Sequence, residues 1–407
     1  MVTSLTSARP LVAFVDGHLK GPFFDRLRSA LLAEMDADCR SVSPPGLLDP
    51  DFKADLVIVN DETWPFCAAG LAELHRRSIP SLHLADGIAE WRNTWENPRQ
   101  ASDNEGMPLF QPILADKIAC MGWSQARVLA SLGNAEKCEV TGSPRYDSIV
   151  RKELCETPAG KKKKLLITTA QSPGFTPDHI ESVRCSLNDL KSYLRGKQAP
   201  FEAIWRVADE VAEVAGGANT FGRVPLQDQM QVVDAVISTP SSVQVDAMMS
   251  GLPVALLDFG NRPAFVPAAW TITAAEQLGP TLRMLADPSP QRMLYQEMVL
   301  HDTLECRGPA TPRVLALAGG MIESGRQARL AGKALSFPAR MLEQVMNEPA
   351  RVEYLLAMDQ LHPAHSVFRL DDRAALQAEL GHLRKAMQTS LVQKIYRKLC
   401  QLGVRQR

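Results

Sequence analysis

The sequence predicts an α/β fold built on parallel sheets, and three observations carry that expectation. Short apolar runs at residues 10–15, 54–59, 81–85 and 117–121 alternate with helical patterns at 65–77 and 124–132, the order that buries a parallel sheet on both faces. Residues 234–258, DAVISTPSSVQVDAMMSGLPVALLD, repeat that order further on: a strand, a polar turn at 239–242, an amphipathic helix closed by Gly251, and a second strand. At 407 residues the chain has the length of two such units.

Composition narrows the function classes. A net charge of −1 gives no electrostatic reason to expect nucleic acid as a partner. The eight cysteines are scattered without a CxxC pair or zinc spacing, which points to reduced thiols in the cytoplasm. No stretch nears ~20 uninterrupted apolar residues, and the start, MVTSLTSARP, lacks the apolar core of a signal peptide. No DxD-like pair stands in a convincing donor-site loop, so neither metal nor cofactor is expected.

The first strand, 10–15, runs into Asp16-Gly17-His18, and Gly21-Pro22-Phe23-Phe24 then opens a helix. A strand entering a glycine turn and a helix is a nucleotide-fold opening, though GxGxxG is missing. The segment FVDGHLKGPFFDRLRSAL resembles the start of the capsule-polysaccharide family that contains Kdo transferases, and places His18 beside an acceptor cleft. The 234–258 unit resembles the second half of two-domain GT-B glycosyltransferases, especially capsule, lipopolysaccharide and CDP-glycerol polymer enzymes. Asp234, Ser238, Ser241, Ser242, Asp246, Ala247, Gly251 and Pro253 stand at the positions of that pattern. Physically, Ser241 and Ser242 open a helix, where backbone N–H groups and the positive dipole end suit a phosphate; equally, serines are ordinary helix caps.

The stretch 86–98, DGIAEWRNTWENP, combines acids with two tryptophans. A carboxylate held against indole rings can have a raised pKa suited to proton transfer with a sugar hydroxyl; a packed aromatic loop is the plainer reading. It resembles the acidic-residue-plus-glycine motif at the acceptor-activating base of CMP-sugar transferases, which makes Asp86 the first catalytic candidate and Glu90 the second. Ala85 stands where that motif carries another acid.

Residues 115–149, ending in CEVTGSPRYDSI, resemble the segment that closes the first domain in these surface-polymer enzymes. Gly142 frees the backbone, Ser143 joins the donor-site candidates, and Arg145 with Asp147 is expected to face the interdomain cleft. Residues 151–164 read as a charged linker. A strand at 165–169 then leads to Gln171 and Ser172, which the resemblance brings to the donor phosphates. Thr176-Pro177-Asp178 starts a helix through 194 in N-cap, N1 order.

The strand 201–207 ends near Arg206 and Asp209. CMP-sugar and CDP-glycerol enzymes carry a His-Pro pair after this strand, and this chain does not. That leaves Asp209 as a candidate nucleophile for a retaining double displacement with Arg206 on phosphate, or as an ordinary first-turn helix acid. Donor candidates thus also include Ser238, Thr239, Ser241, Ser242 and Asp246.

The tail from 321 shows no strand signal. Residues 382–407 are basic and amphipathic, with Leu391, Ile395, Leu399 and Leu402 at helical spacing, which fits either an inner-membrane surface contact or packing on the protein itself. The expected organisation is therefore GT-B: an acceptor domain at 1–150, a nucleotide-sugar domain at 151–320 and a helical tail at 321–407, peripheral on the inner face of the plasma membrane if the tail binds lipid. The resemblance implies a metal-independent transferase moving Kdo from CMP-Kdo to a lipid-linked surface glycan. The alternatives are a CDP-glycerol-type transferase, or a non-catalytic scaffold of the same fold.

Overall fold

A computed structural model describes residues 9–15, 22–62, 66–85, 87–98, 109–110, 112–152 and 161–342. Asp86, His18 and the basic segment 382–407 lie outside the described residues.

Two separate parallel sheets organise the chain. The first has the order β2-β1-β3-β4-β5-β6, from β1 (Leu11–Val15), β2 (Asp38–Val42), β3 (Leu56–Val59), β4 (Ser81–Leu84), β5 (Lys117–Cys120) and β6 (Cys138–Val140). The second has the order β11-β10-β9-β7-β8, from β7 (Lys163–Thr168), β8 (Phe201–Arg206), β9 (Ala235–Ser238), β10 (Val254–Leu257) and β11 (Trp270–Ile272). Central strands such as LVIV and VALL are wholly buried, because helices cover both faces and leave no side for polar residues.

On the first sheet, α1 (Pro22–Glu34) packs on one face, while α2 (Cys67–Arg76) and α4 (Trp123–Leu129) cover the other. A short α3 (Trp91–Trp95) follows β4. On the second sheet, α5 (Pro177–Leu194) and α8 (Leu278–Ala286) share one core, and α6 (Leu226–Val232), α7 (Val243–Met249) and α9 (Pro290–Thr303) lie on the opposite face. Thr176 caps α5 as expected, its hydroxyl accepting from the His179 N–H at 3.2 Å with Pro177 in the first turn.

The last described helix, α10 (Thr311–Ala331), returns to the first sheet. Val314, Leu317, Ala318 and Met321 bury against Val12, Phe14, Leu27 and Leu56. The expected boundary at 320 falls inside this one helix. Its return is fastened by Asp147, which the sequence places toward the cleft. The carboxylate instead accepts from the N–H groups of Ala310 and Thr311 at 2.7 and 2.9 Å and from the Thr311 hydroxyl at 2.6 Å. It caps the helix from 163 residues away and opposes the positive end of its dipole. Gly142 belongs to the same seam: its φ is +78°, and a Cβ there would lie 2.4 Å from the Glu305 carbonyl oxygen. Asp147→Ala should therefore lower stability by about 2 kcal/mol, between an ordinary cap and a charged hydrogen bond, while Asp147→Asn loses less. Urea unfolding of the two variants checks the order.

Candidate active site

The topology of the second sheet puts a switch point between β7 and β9, neighbours whose chains continue in opposite directions across the sheet. Ligands of open α/β sheets sit outside the carboxyl ends of such strands. The two loops there are tied together: the Ala170 N–H donates to Thr239 Oγ1 at 3.0 Å, and Ser238 Oγ donates to the Thr239 carbonyl at 2.7 Å. Those two hydroxyls therefore shape the loops. The following turn also consumes some of its own donors, since Ser241 Oγ accepts from the Val243 N–H at 3.1 Å and the Ser241 carbonyl from the Gln244 N–H at 3.1 Å. With α7 only seven residues long, its dipole is a smaller contribution to anion binding than the sequence implied. Gln171 and Ser172 are exposed on the β7 loop.

Across from this edge stands the carboxyl edge of the first sheet, and the two meet at the stretch after β4. Ser242 Oγ accepts from the Ile88 N–H at 3.2 Å, and a Cβ on Gly87 would lie 3.0 Å from that hydroxyl. Residues 88–92 of the first domain and Pro240, Gln244, Asp258 and 262–266 of the second enclose a cavity of about 10 Å³, room for about one water. The domains are closed on each other at this point.

Glu90 lines this cavity with only 16% of its side chain exposed, accepting from Arg92 Nε at 2.6 Å. Burial pushes its carboxyl above the usual range; Arg92 opposes that shift, and the charges of Asp258 and Glu96 add to it. The Gln244 side chain reaches the same cavity, and its buried Oε1 finds no hydrogen-bond partner among the described residues. Just outside, Glu96 joins the domains by accepting from Arg262 Nε at 2.9 Å and contacting His179 Nε2 at 3.0 Å. Asp258 is held by its own loop, accepting from the N–H groups of Gly260 and Arg262 at 3.2 and 3.1 Å. The cavity thus carries two carboxylates balanced by two guanidiniums. Its chemistry suits moving a proton beside a bound anion.

No protein-family model matches the chain, and no curated protein matches it in sequence. Solved structures do match. The UDP co-structure of S. aureus MnaA superposes with a TM-score of 0.52 at 15% identity, over 81% of this chain and 100% of that one. The Methanocaldococcus jannaschii UDP-GlcNAc 2-epimerase in complex with UDP-GlcNAc and UDP gives 0.50 at 10% identity, over 76% and 99%. The wall teichoic acid polymerase TagF gives 0.49 at 12% identity, over 77% and 89%. The fold is GT-B. At these identities the likeness extends to architecture: two Rossmann-like domains meeting at their carboxyl edges.

The remaining candidates separate into groups. Arg145 donates to Asp246 at 2.9 Å across the domains, and Gln227 Nε2 donates to the other carboxylate oxygen at 3.2 Å. Asp246 is 2% exposed, and burial raises its pKa against the pull of Arg145. Ser143 is buried beside this seam in sequence, and its Oγ has no partner among the described residues.

Arg206 is committed within its own domain. It donates to the Val224 carbonyl at 2.7 Å and lies over the Phe221 ring, 5.3 Å from its centroid. Asp209 is exposed in the 3-10 turn Asp209–Val211, where helix-start acids ordinarily sit, and does not line the cavity. The structure also brings in Gln244, His179 and Arg262, which sequence reasoning had not chosen. Arg262 lies in the loop after β10 and His179 in the first turn of α5.

Among the described residues no helix is long and apolar enough to cross a membrane, and no group of three or more His, Cys, Asp or Glu side chains is placed to hold a metal ion.

Proposed function

We propose that the protein is a glycosyltransferase that binds a nucleotide-sugar at the switch point of the second sheet and activates the acceptor hydroxyl with Glu90. One observation carries this reading: a buried carboxylate of raised pKa stands where the carboxyl edges of both sheets converge. The loops 170–172 and 239–242 supply the donor side, and the cross-domain contacts at Ser242 and Glu96 make closure part of the cycle, excluding water that competes for the donor. The nucleotide ligands in the MnaA and M. jannaschii structures support a nucleotide-sugar donor.

The finer reading is Kdo transfer from CMP-Kdo to a lipid-linked surface glycan. It rests on the capsule-like opening at 14–31 and the serine turn. The test is incubation of purified full-length protein with CMP-Kdo, CDP-glycerol and UDP-GlcNAc, with and without acceptor glycolipid. Acceptor-dependent nucleotide release supports transfer and names the donor. Conversion of UDP-GlcNAc to an epimer without acceptor replaces transfer by epimerisation, and binding of no nucleotide leaves a scaffold.

A further inference from the structure

We infer that the indole pair of α3 is a saccharide-binding platform that seats the acceptor glycan; this rests on the transferase reading above and assigns the site of its second substrate. The helix is patterned the wrong way round. In WRNTW the charged and polar side chains, Arg92 and Thr94, are 5% and 4% exposed, whereas Trp95 is 46% exposed and Trp91 half-buried. Patterning by the hydrophobic effect gives the reverse, with the indoles inside and the guanidinium in water. Burying an indole normally stabilises a fold, so this turn forgoes stability to keep a ring in solvent. Such inversions of local patterning mark functional surfaces.

The geometry extends that ring toward the cavity. Trp91 and Trp95 are four residues apart on one helix face, with ring centroids 6.0 Å apart and planes tilted by 44°. Trp91 in turn lies 6.0 Å from Phe265 of the second domain, and both line the cavity that holds Glu90. A run of aromatic rings therefore leads from solvent to the buried carboxylate. A polar rim follows the same path: Asn97 Nδ2 donates to Asn93 Oδ1 at 2.8 Å, and the Glu96–Arg262 pair stands next to it.

Aromatic faces bordered by amide and charged groups fit one ligand chemistry well. A pyranose presents an apolar C–H face to the ring and hydroxyls at its edge to hydrogen-bonding side chains. An acyl chain has no use for the polar rim, and the rim's mixed charge gives an anionic surface no net attraction. A glycan lying on Trp95 and Trp91 directs its terminal sugar toward Glu90, the order a transfer reaction needs.

The experiment is binding of the full-length protein, without donor, to a printed array of bacterial surface oligosaccharides, followed by tryptophan-fluorescence titration of the best ligand. Trp95→Ala should weaken that binding about tenfold, the loss of one aromatic contact, and Trp95→Phe should restore most of it. Because Trp95 is exposed, folding of both variants is expected and is checked by circular dichroism. Absence of any bound glycan, equal binding by Trp95→Ala, or a Trp95-dependent association with phosphatidylglycerol vesicles in place of glycans overturns the assignment. Nucleotide binding by the wild-type protein is measured in parallel. Glycan binding without nucleotide binding sinks the transferase reading alone, and nucleotide binding without glycan binding sinks the platform alone.

Discussion

Lys117→Met is expected to destabilise the first domain by about 3–5 kcal/mol, the cost of stranding a buried charge. Lys117 opens β5 at 1% exposure, and Glu139 on neighbouring β6 is 0% exposed. The ammonium donates to Glu139 at 3.1 Å and to the carbonyls of Glu136, Pro338 and Ala339 at 2.9, 2.8 and 3.1 Å. Glu139 in turn accepts from the N–H groups of Met341 and Leu342 at 2.8 and 3.3 Å. One ion pair therefore clamps the segment beyond α10 to the first sheet. Methionine keeps the stem's volume, so the loss is electrostatic rather than a cavity. Adding Glu139→Leu removes the stranded carboxylate and should recover part of the deficit. What remains measures the carbonyls and amides left without partners. Urea midpoints of the single and double variants decide the matter: an unchanged midpoint for Lys117→Met means the pair is not holding the segment.

The fold was legible wherever a strand is buried on both faces. LVIV, SLHL, KIAC, AVIS and VALL stand out as apolar runs or nearly so, and each became a strand within a residue or two of its expected limits. The strands that sequence reading missed are edge strands. In β2, DCRSV, no residue is fully buried, so burial imposes no apolar pattern on it. β11 is three residues long and outwardly polar at Thr271, too short for periodicity to register.

The site divides along similar lines. Glu90 could be picked out because an acid among tryptophans in a connecting stretch is chemically odd. The role of Asp147 could not, because an acid two residues after an arginine looks like a cleft residue until a helix from the far end of the chain is seen on it. Glu96, His179 and Arg262 come from three stretches of chain, and no local pattern relates them. Arg206 had the right strand end and the wrong surroundings: Val224 and Phe221, which occupy it, lie in a connection whose path the sequence does not constrain.

Glu90→Gln should lower kcat by about 10²–10⁴-fold, the usual contribution of a positioned general base, with a much smaller change in KM. Glutamine preserves the shape and can still accept from Arg92, so the guanidinium keeps a hydrogen bond although it loses its counter-charge. A moderate drop in melting temperature is expected with it, and loss of activity must exceed what that drop explains. The pH profile separates the roles. Burial raises the Glu90 pKa, so as pH falls the carboxylate takes up its proton earlier than an ordinary glutamate at about 4.3. A base that must be ionised therefore loses activity on the acid side, in a limb displaced upward from the ordinary carboxylate range. In the Gln variant that limb should vanish and the residual rate should be flat across it. Were Glu90 the leaving-group acid instead, the sign reverses: activity would fall as pH rises through the same pKa. A limb that persists unchanged in Glu90→Gln belongs to another group, and Glu90 would then serve only to hold Arg92 in the closed junction.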